Sequence, residues 1–185
     1  MLAFLFVAIA IAVRLLPLLH YTPVYNFTPV GASLLFFGAK QPRKWMWLPI
    51  VALAASDIVL NRFVYHYPIT WETFASSAWY VMAILIGSLL KKDGDKFKIG
   101  NIAGASLAGS ISFFLVSNFA VWVAYNMYPH NLPGLAACYA AAIPFFTPTL
   151  ASDMLYAIGF FAAPHLIEAV KKQMSGIGSD DIAAA

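Results

Sequence analysis

Charge is what this chain has least of: Asp, Glu, Lys and Arg together make up only 10% of its 185 residues. A soluble domain carries about 25% charged residues and is about 45–50% apolar. Here 62% are hydrophobic and the mean hydropathy is +0.77, which excludes an ordinary soluble domain and points to an integral membrane protein. There is one cysteine, Cys138, so no disulfide, Cys-rich metal site or iron–sulfur cluster is expected within the chain. Also missing are G-x-x-x-x-G-K-S/T, H-E-x-x-H, G-x-S-x-G and Cys-x-x-Cys, and with them a nucleotide-hydrolysing, zinc-protease, hydrolase or thiol-redox signature. Histidines 20, 66, 130 and 165 lack the close helical spacing of paired metal ligands. No metal, no cofactor and no enzymatic activity are expected.

What is present is a series of apolar runs. Hydropathy predicts six membrane segments, from Leu2 to Leu19, Phe27 to Ala39, Trp45 to Val64, Phe74 to Leu90, Ile102 to Tyr125 and Leu135 to Ala163. The expected fold is therefore an all-α membrane protein, a six-transmembrane-helix bundle forming one domain over residues 1–170. A short polar tail, 171–185, follows and is expected to be irregular. The apolar start MLAFLFVAIAIAV has no basic leader and no small-residue cleavage site, and is read as a retained first span. Pro144, Pro148 and Pro164 predict a kinked or broken last helix.

The segment Asn26 to Ala39, NFTPVGASLLFFGA, is anomalous. A helix of that length reaches only about 21 Å of a hydrocarbon core roughly 30 Å thick. Its polar start lies below the outer surface and must line a wet cavity or be buried in protein.

Lys40, Arg43 and Lys44, then Lys91, Lys92, Lys96 and Lys98, then Lys171 and Lys172 all fall on one side of a six-span arrangement, with Arg62 alone opposite. The positive-inside rule puts both termini in the cytoplasm. The net charge of +3 thus reads as topology, and no nucleic-acid partner is expected. Ala8 with Ala12, Gly104 with Ala108, and Ala105 with Gly109 have the small-x-x-x-small spacing of close helix contact.

Three ionisable residues lie inside predicted spans: Arg14, Asp57 and Asp153. Each costs several kcal/mol in hydrocarbon unless it is paired or faces a cavity. Counting at about 1.5 Å per residue places Arg14 about 6 Å and Asp57 about 3 Å to the outer side of their span midpoints. Asp153 falls about 6 Å to the inner side. Arg14 and Asp57 are predicted to pair, either fixing helix packing or walling a polar cavity. Asn118 and Trp122, four residues apart, share a helical face, where an amide and an indole suit a neutral polar solute. Asn26, Thr28, Trp71 and Tyr80 gather toward the same outer end, where an interfacial aromatic belt is the competing reading.

The run NFTPVGASLLFFGA, Ser56-Asp57, FFLVSNFAVW from Phe113 to Trp122, and Cys138-Tyr139 through Pro144-Phe145-Phe146 resemble an uncharacterised family of small bacterial inner-membrane proteins. That family is similar in fold to the substrate-binding S components of energy-coupling-factor vitamin transporters. The resemblance implies an S-component-like bundle with a vitamin-sized pocket near the outer face. Asn26, Phe27 and Thr28 would form its lid, and Asn118, Trp122 and Tyr139 would line it. It also implies docking through Ala8 and Ala12 to a transmembrane coupling protein served by ATPases. The expected function is capture of a small vitamin-like solute in the bacterial inner membrane, among membrane lipid. The alternative is a non-transporting accessory or assembly subunit of a membrane complex.

Overall fold

The computed structural model describes residues 1–21, 26–67, 69, 71–90, 92–93 and 96–183, except for the side chains of 71–73, 76, 92–93, 96 and 176–183. The chain is built from helices: α1 (Leu2–Arg14), α2 (Val30–Lys40), α3 (Trp47–Leu60), α4 (Trp71–Ser88), α5 (Ile99–Ala124) and α6 (Leu132–Ala183). A 3₁₀ turn, Leu16–Leu19, follows α1; another, Arg43–Trp45, leads into α3, which ends in a π turn over Asn61–Tyr65. Two-residue strands at Lys92–Asp93 and Lys96–Phe97 pair antiparallel between α4 and α5.

Among the described residues, three helical stretches are long and apolar enough to cross a membrane: Arg43–Tyr65, Ile99–Ala124 and Leu132–Ser175. The helices Leu2–Arg14 and Val30–Lys40 are apolar but short. The first ends at Arg14, although the apolar run reaches Leu19, because Pro17 cannot supply the amide that the next helical bond needs.

Helix α2 is the centre of the fold. Every residue from Val30 to Gly38 is buried, as expected of a helix that is apolar all round. Ala32, Phe36 and Phe37 join Phe6, Ile102, Phe160 and Phe161 in one core cluster, where Phe6 stacks on Phe160 with ring centroids 4.0 Å apart. Val30 and Leu34 join Ala10, Leu53, Trp79, Tyr80 and Ile84 in a second. Helices α1 and α2 contribute to both clusters, so α2 ties α1, α5 and α6 to α3 and α4.

Glycines let α2 and α4 touch at the backbone. A Cβ on Gly38 would strike the Ile84 carbonyl, and one on Gly87 would strike the Leu35 carbonyl. Of the small-residue pairs in α5, Gly109 faces Leu35 of α2, while Gly104 and Ala108 are exposed. Ala8 and Ala12 are also exposed, on a side of α1 left uncovered among the described residues.

Helix α6 corrects two expectations. It runs as one helix through Pro144, Pro148 and Pro164, so of the expected kink or break the break does not occur. The backbone also stays helical through the polar tail as far as Ala183. Thr149 Oγ1 donates to the Phe145 carbonyl at 3.0 Å and Ser152 Oγ to the Thr149 carbonyl at 2.9 Å, local bonds to the preceding turn of the same helix.

Candidate functional site

Two buried polar clusters and two clefts lie around the N-terminal end of α2. The first cluster joins three helices. Arg14, at the end of α1, gives one guanidinium nitrogen to Asp57 Oδ1 of α3 and the other to the Tyr80 hydroxyl of α4, the latter at 2.6 Å. Tyr80 in turn donates to Asp57 Oδ2 at 2.8 Å. The hydroxyl thus accepts from the cation and donates to the anion, closing a ring that neutralises the buried charge. Depth along the spans makes Arg14 and Asp57 level, and the structure brings them together. Tyr80 completes their hydrogen bonding as well as belonging to the outer aromatic group.

The second cluster is built on Asp153 of α6. Its Oδ2 accepts from Ser110 Oγ at 2.7 Å, its backbone carbonyl accepts from Ser106 Oγ at 3.0 Å, and the Ala32 backbone N–H bonds its carboxylate. A Cβ on Gly31 would collide with the same carboxylate. Gly31 and Ala32 open α2, whose preceding residue, Pro29, offers no capping side chain. Asp153 is therefore the cap of α2, delivered from another helix to the positive end of the helix dipole. Because Ser106 and Ser110 lie near the middle of α5, α2 begins beside the midpoint of that helix; its 11 residues run about 16 Å from there toward the Lys40 side.

The first cleft opens between α5 and α6, beyond that start. It encloses about 210 Å³. Phe113, Phe114, Ser117, Asn118 and Val121 line it from α5; Ala142, Phe145, Phe146 and Thr149 from α6; Asn26 closes it from the α1–α2 connection. A second cleft of about 160 Å³ lies between α4 and α5 and shares Phe113, Ser117 and Val121 with the first, so these side chains form a partition. Trp79 backs the partition, its Nε1 donating to Ser112 Oγ at 3.1 Å and its ring packing on Phe113 at 4.8 Å.

The lid and lining residues named from the sequence divide accordingly. Asn26 and Asn118 face the cleft. Asn26 stands in the left-handed region at φ 59°, which asparagine tolerates, and its carbonyl lies 3.5 Å from Ser152 Oγ. Phe27 packs on Tyr156 at 5.8 Å, and Thr28 is half-buried between Phe27 and the buried Pro29; neither lines the cleft. Trp122 turns away from it: its Nε1 donates to the Pro129 carbonyl at 2.9 Å and its ring meets His130 at 5.4 Å. An indole N–H needs an acceptor, and the α5–α6 connection supplies the one within reach. Tyr139 lies behind the wall, its hydroxyl donating to the Leu115 carbonyl at 2.9 Å and its ring on Phe114 at 5.5 Å. Arg14, Asp57 and Tyr80 close on one another and line neither cleft. The side chain of Trp71 lies outside the described residues. Cys138 is a buried thiol whose Sγ lies 3.5 Å from the Asn118 carbonyl.

Most of the aromatic wall carried a sequence signal that composition hides. Phe113, Ser117 and Val121 recur at four-residue spacing, as do Phe114 and Asn118, and as do Phe145 and Thr149. An aromatic followed one turn later by a small polar residue, on two adjacent helices, is the pattern that marks the cleft.

Residues 1–175 match a protein family described as a family of unknown function, DUF6580. No curated protein and no solved structure matches the chain.

Proposed function

We propose that this chain, which belongs to the DUF6580 family, is a non-catalytic membrane protein that captures a small solute from the outer side of the bilayer. The observation that carries this reading is the cleft between α5 and α6, aromatic-walled with four neutral polar residues, set beyond the start of a helix of only 11 residues. Interrupted helices and concave, mainly apolar pockets with a few placed polar groups are how membrane proteins hold solutes near the midplane. On this reading all six helices lie in the bacterial inner membrane with cytoplasmic termini, supported by the Lys and Arg distribution. The short second helix and Asn26 at the cleft support an S-component-like arrangement on this reading, with a solute that is vitamin-like in chemistry. A volume of about 210 Å³ lies below the roughly 300 Å³ at which pockets for drug-sized ligands begin, which favours the smaller end of that class. Mass spectrometry of solutes that co-purify with the protein from native membrane tests the reading. A stoichiometric solute, lost when Ala142→Trp fills the cleft, supports it; no solute from any preparation overturns it.

The second reading is an accessory subunit of a membrane complex. The bare face of Ala8 and Ala12 on α1 favours it, because small residues at that spacing admit close approach of another helix. The same face suits a transmembrane coupling protein with ATPases under the first reading. Ala8→Trp separates the two: under solute capture it blocks delivery but leaves solute bound to the purified protein.

A further inference from the structure

We infer, resting on the solute-capture reading, that the cleft selects an uncharged, flat, one- or two-ring molecule that donates hydrogen bonds. The direction of the hydrogen bonds in the wall carries this. Ser117 Oγ donates to the Phe113 carbonyl at 2.7 Å, Asn118 Nδ2 to the Phe114 carbonyl at 2.8 Å, and Thr149 Oγ1 to the Phe145 carbonyl at 3.0 Å. Each hydroxyl has spent its one proton on the helix turn below it, and the amide has committed one of its two. Ser117 and Thr149 therefore offer the cleft oxygen lone pairs, and Asn118 and Asn26 offer amide oxygens beside their remaining N–H groups; acceptors outnumber donors, so the matching ligand brings N–H or O–H groups.

The same bookkeeping disfavours charge. An anion needs donors or a cation, and no Lys, Arg or His is among the described residues lining the cleft. The helix end that would attract an anion, the N-terminus of α2, is already filled by the Asp153 carboxylate. A strongly hydrated primary ammonium needs a carboxylate, and none is among the described residues lining the cleft; Asp57 is committed to Arg14 and Tyr80. Burying an unpaired charge costs far more than burying a neutral polar group. The aromatic wall includes Phe114 and Phe146 in an edge-to-face pair at 5.2 Å, which leaves ring faces for offset stacking of a flat guest.

Four shape-matched probes test this on the full-length protein in detergent micelles: benzamide, N,N-dimethylbenzamide, benzoate and benzylamine, followed by saturation-transfer NMR and competition. Benzamide is expected to bind at least about tenfold more tightly than benzoate or benzylamine, the value of one well-placed hydrogen bond to a neutral partner. Ser117→Ala with Thr149→Val should weaken benzamide by about tenfold yet leave N,N-dimethylbenzamide unchanged, a split that a merely structural role would not produce. Tighter binding of benzoate or benzylamine overturns the inference while leaving capture intact, as does a co-purified solute that is an anion or quaternary cation. Silence from all four probes, with no co-purified solute, overturns the capture reading and this inference together.

Discussion

Removing the two ends of the Arg14–Asp57 pair one at a time should cost unequal amounts of stability. In Arg14→Met the carboxylate of Asp57 keeps only the Tyr80 hydroxyl as donor, and its side chain is 6% exposed, against 24% for Arg14. An unpaired buried charge of this kind costs about 3–5 kcal/mol. In Asp57→Leu the guanidinium retains the Tyr80 oxygen as acceptor, and its longer, less buried side chain can snorkel toward a polar interface. The cost there should be about 1–3 kcal/mol, the range for a lost charged hydrogen bond where the stranded partner can rehydrate. The double replacement leaves no charge behind and should cost less than Arg14→Met alone, giving a coupling of about 2–3 kcal/mol. Reversible unfolding in mixed micelles, followed by tryptophan fluorescence, measures all three. Additive single losses, or a larger cost for Asp57→Leu than for Arg14→Met, would refute the reasoning.

Other substitutions probe the rest of the frame. Gly38→Val and Gly87→Val place branched side chains against the Ile84 and Leu35 carbonyls and should abolish a monodisperse peak in fluorescence-detected size exclusion; Gly104→Val, with nothing within 4 Å, should elute normally. Asp153→Leu strands the Ser110 hydroxyl and the first amides of α2 and should lower stability by about 2–4 kcal/mol, with Asp153→Asn losing roughly half as much, read as thermal unfolding. Asn26→Gly keeps the left-handed backbone, whereas Asn26→Ala strains it by about 1 kcal/mol. Both remove the amide at the cleft and should weaken solute retention in a filtration assay while the protein still reaches the membrane; failure of Asn26→Gly to reach the membrane would make the residue structural.

Much of the frame was legible because membrane physics restricts what intramembrane charge can do. Arg14 and Asp57 had to find a partner, and depth alone identified each for the other. The short Asn26 to Ala39 segment was visible as too short, and the structure resolves the anomaly with a fully buried helix that starts beside the midpoint of α5. Asp153 was visible as costly but not as a cap, because its partners are amides of a distant segment, and backbone groups have no signature in a sequence. Trp122 was assigned to the cleft by helical spacing alone, which fixes a face but not the rotamer; the Pro129 carbonyl drew the indole elsewhere. The phenylalanines of the cleft were lost among 15 in the chain. Three prolines in α6 suggest a kink or a break, and the helix runs on through all three, because a proline removes one bond from a long helix whose other turns are intact.

The dependence of α2 on Asp153 also sets an order of assembly. A helix of 11 residues with a polar front is too short to partition into lipid as an independent span of about 20 residues. Its buried first amides have no capping side chain of their own until residue 153 has been synthesised and α6 has docked. The first turn of α2 is thus expected to become fully hydrogen-bonded only after α6 has been made. The α5–α6 cleft shares that requirement, because α6 supplies one of its walls.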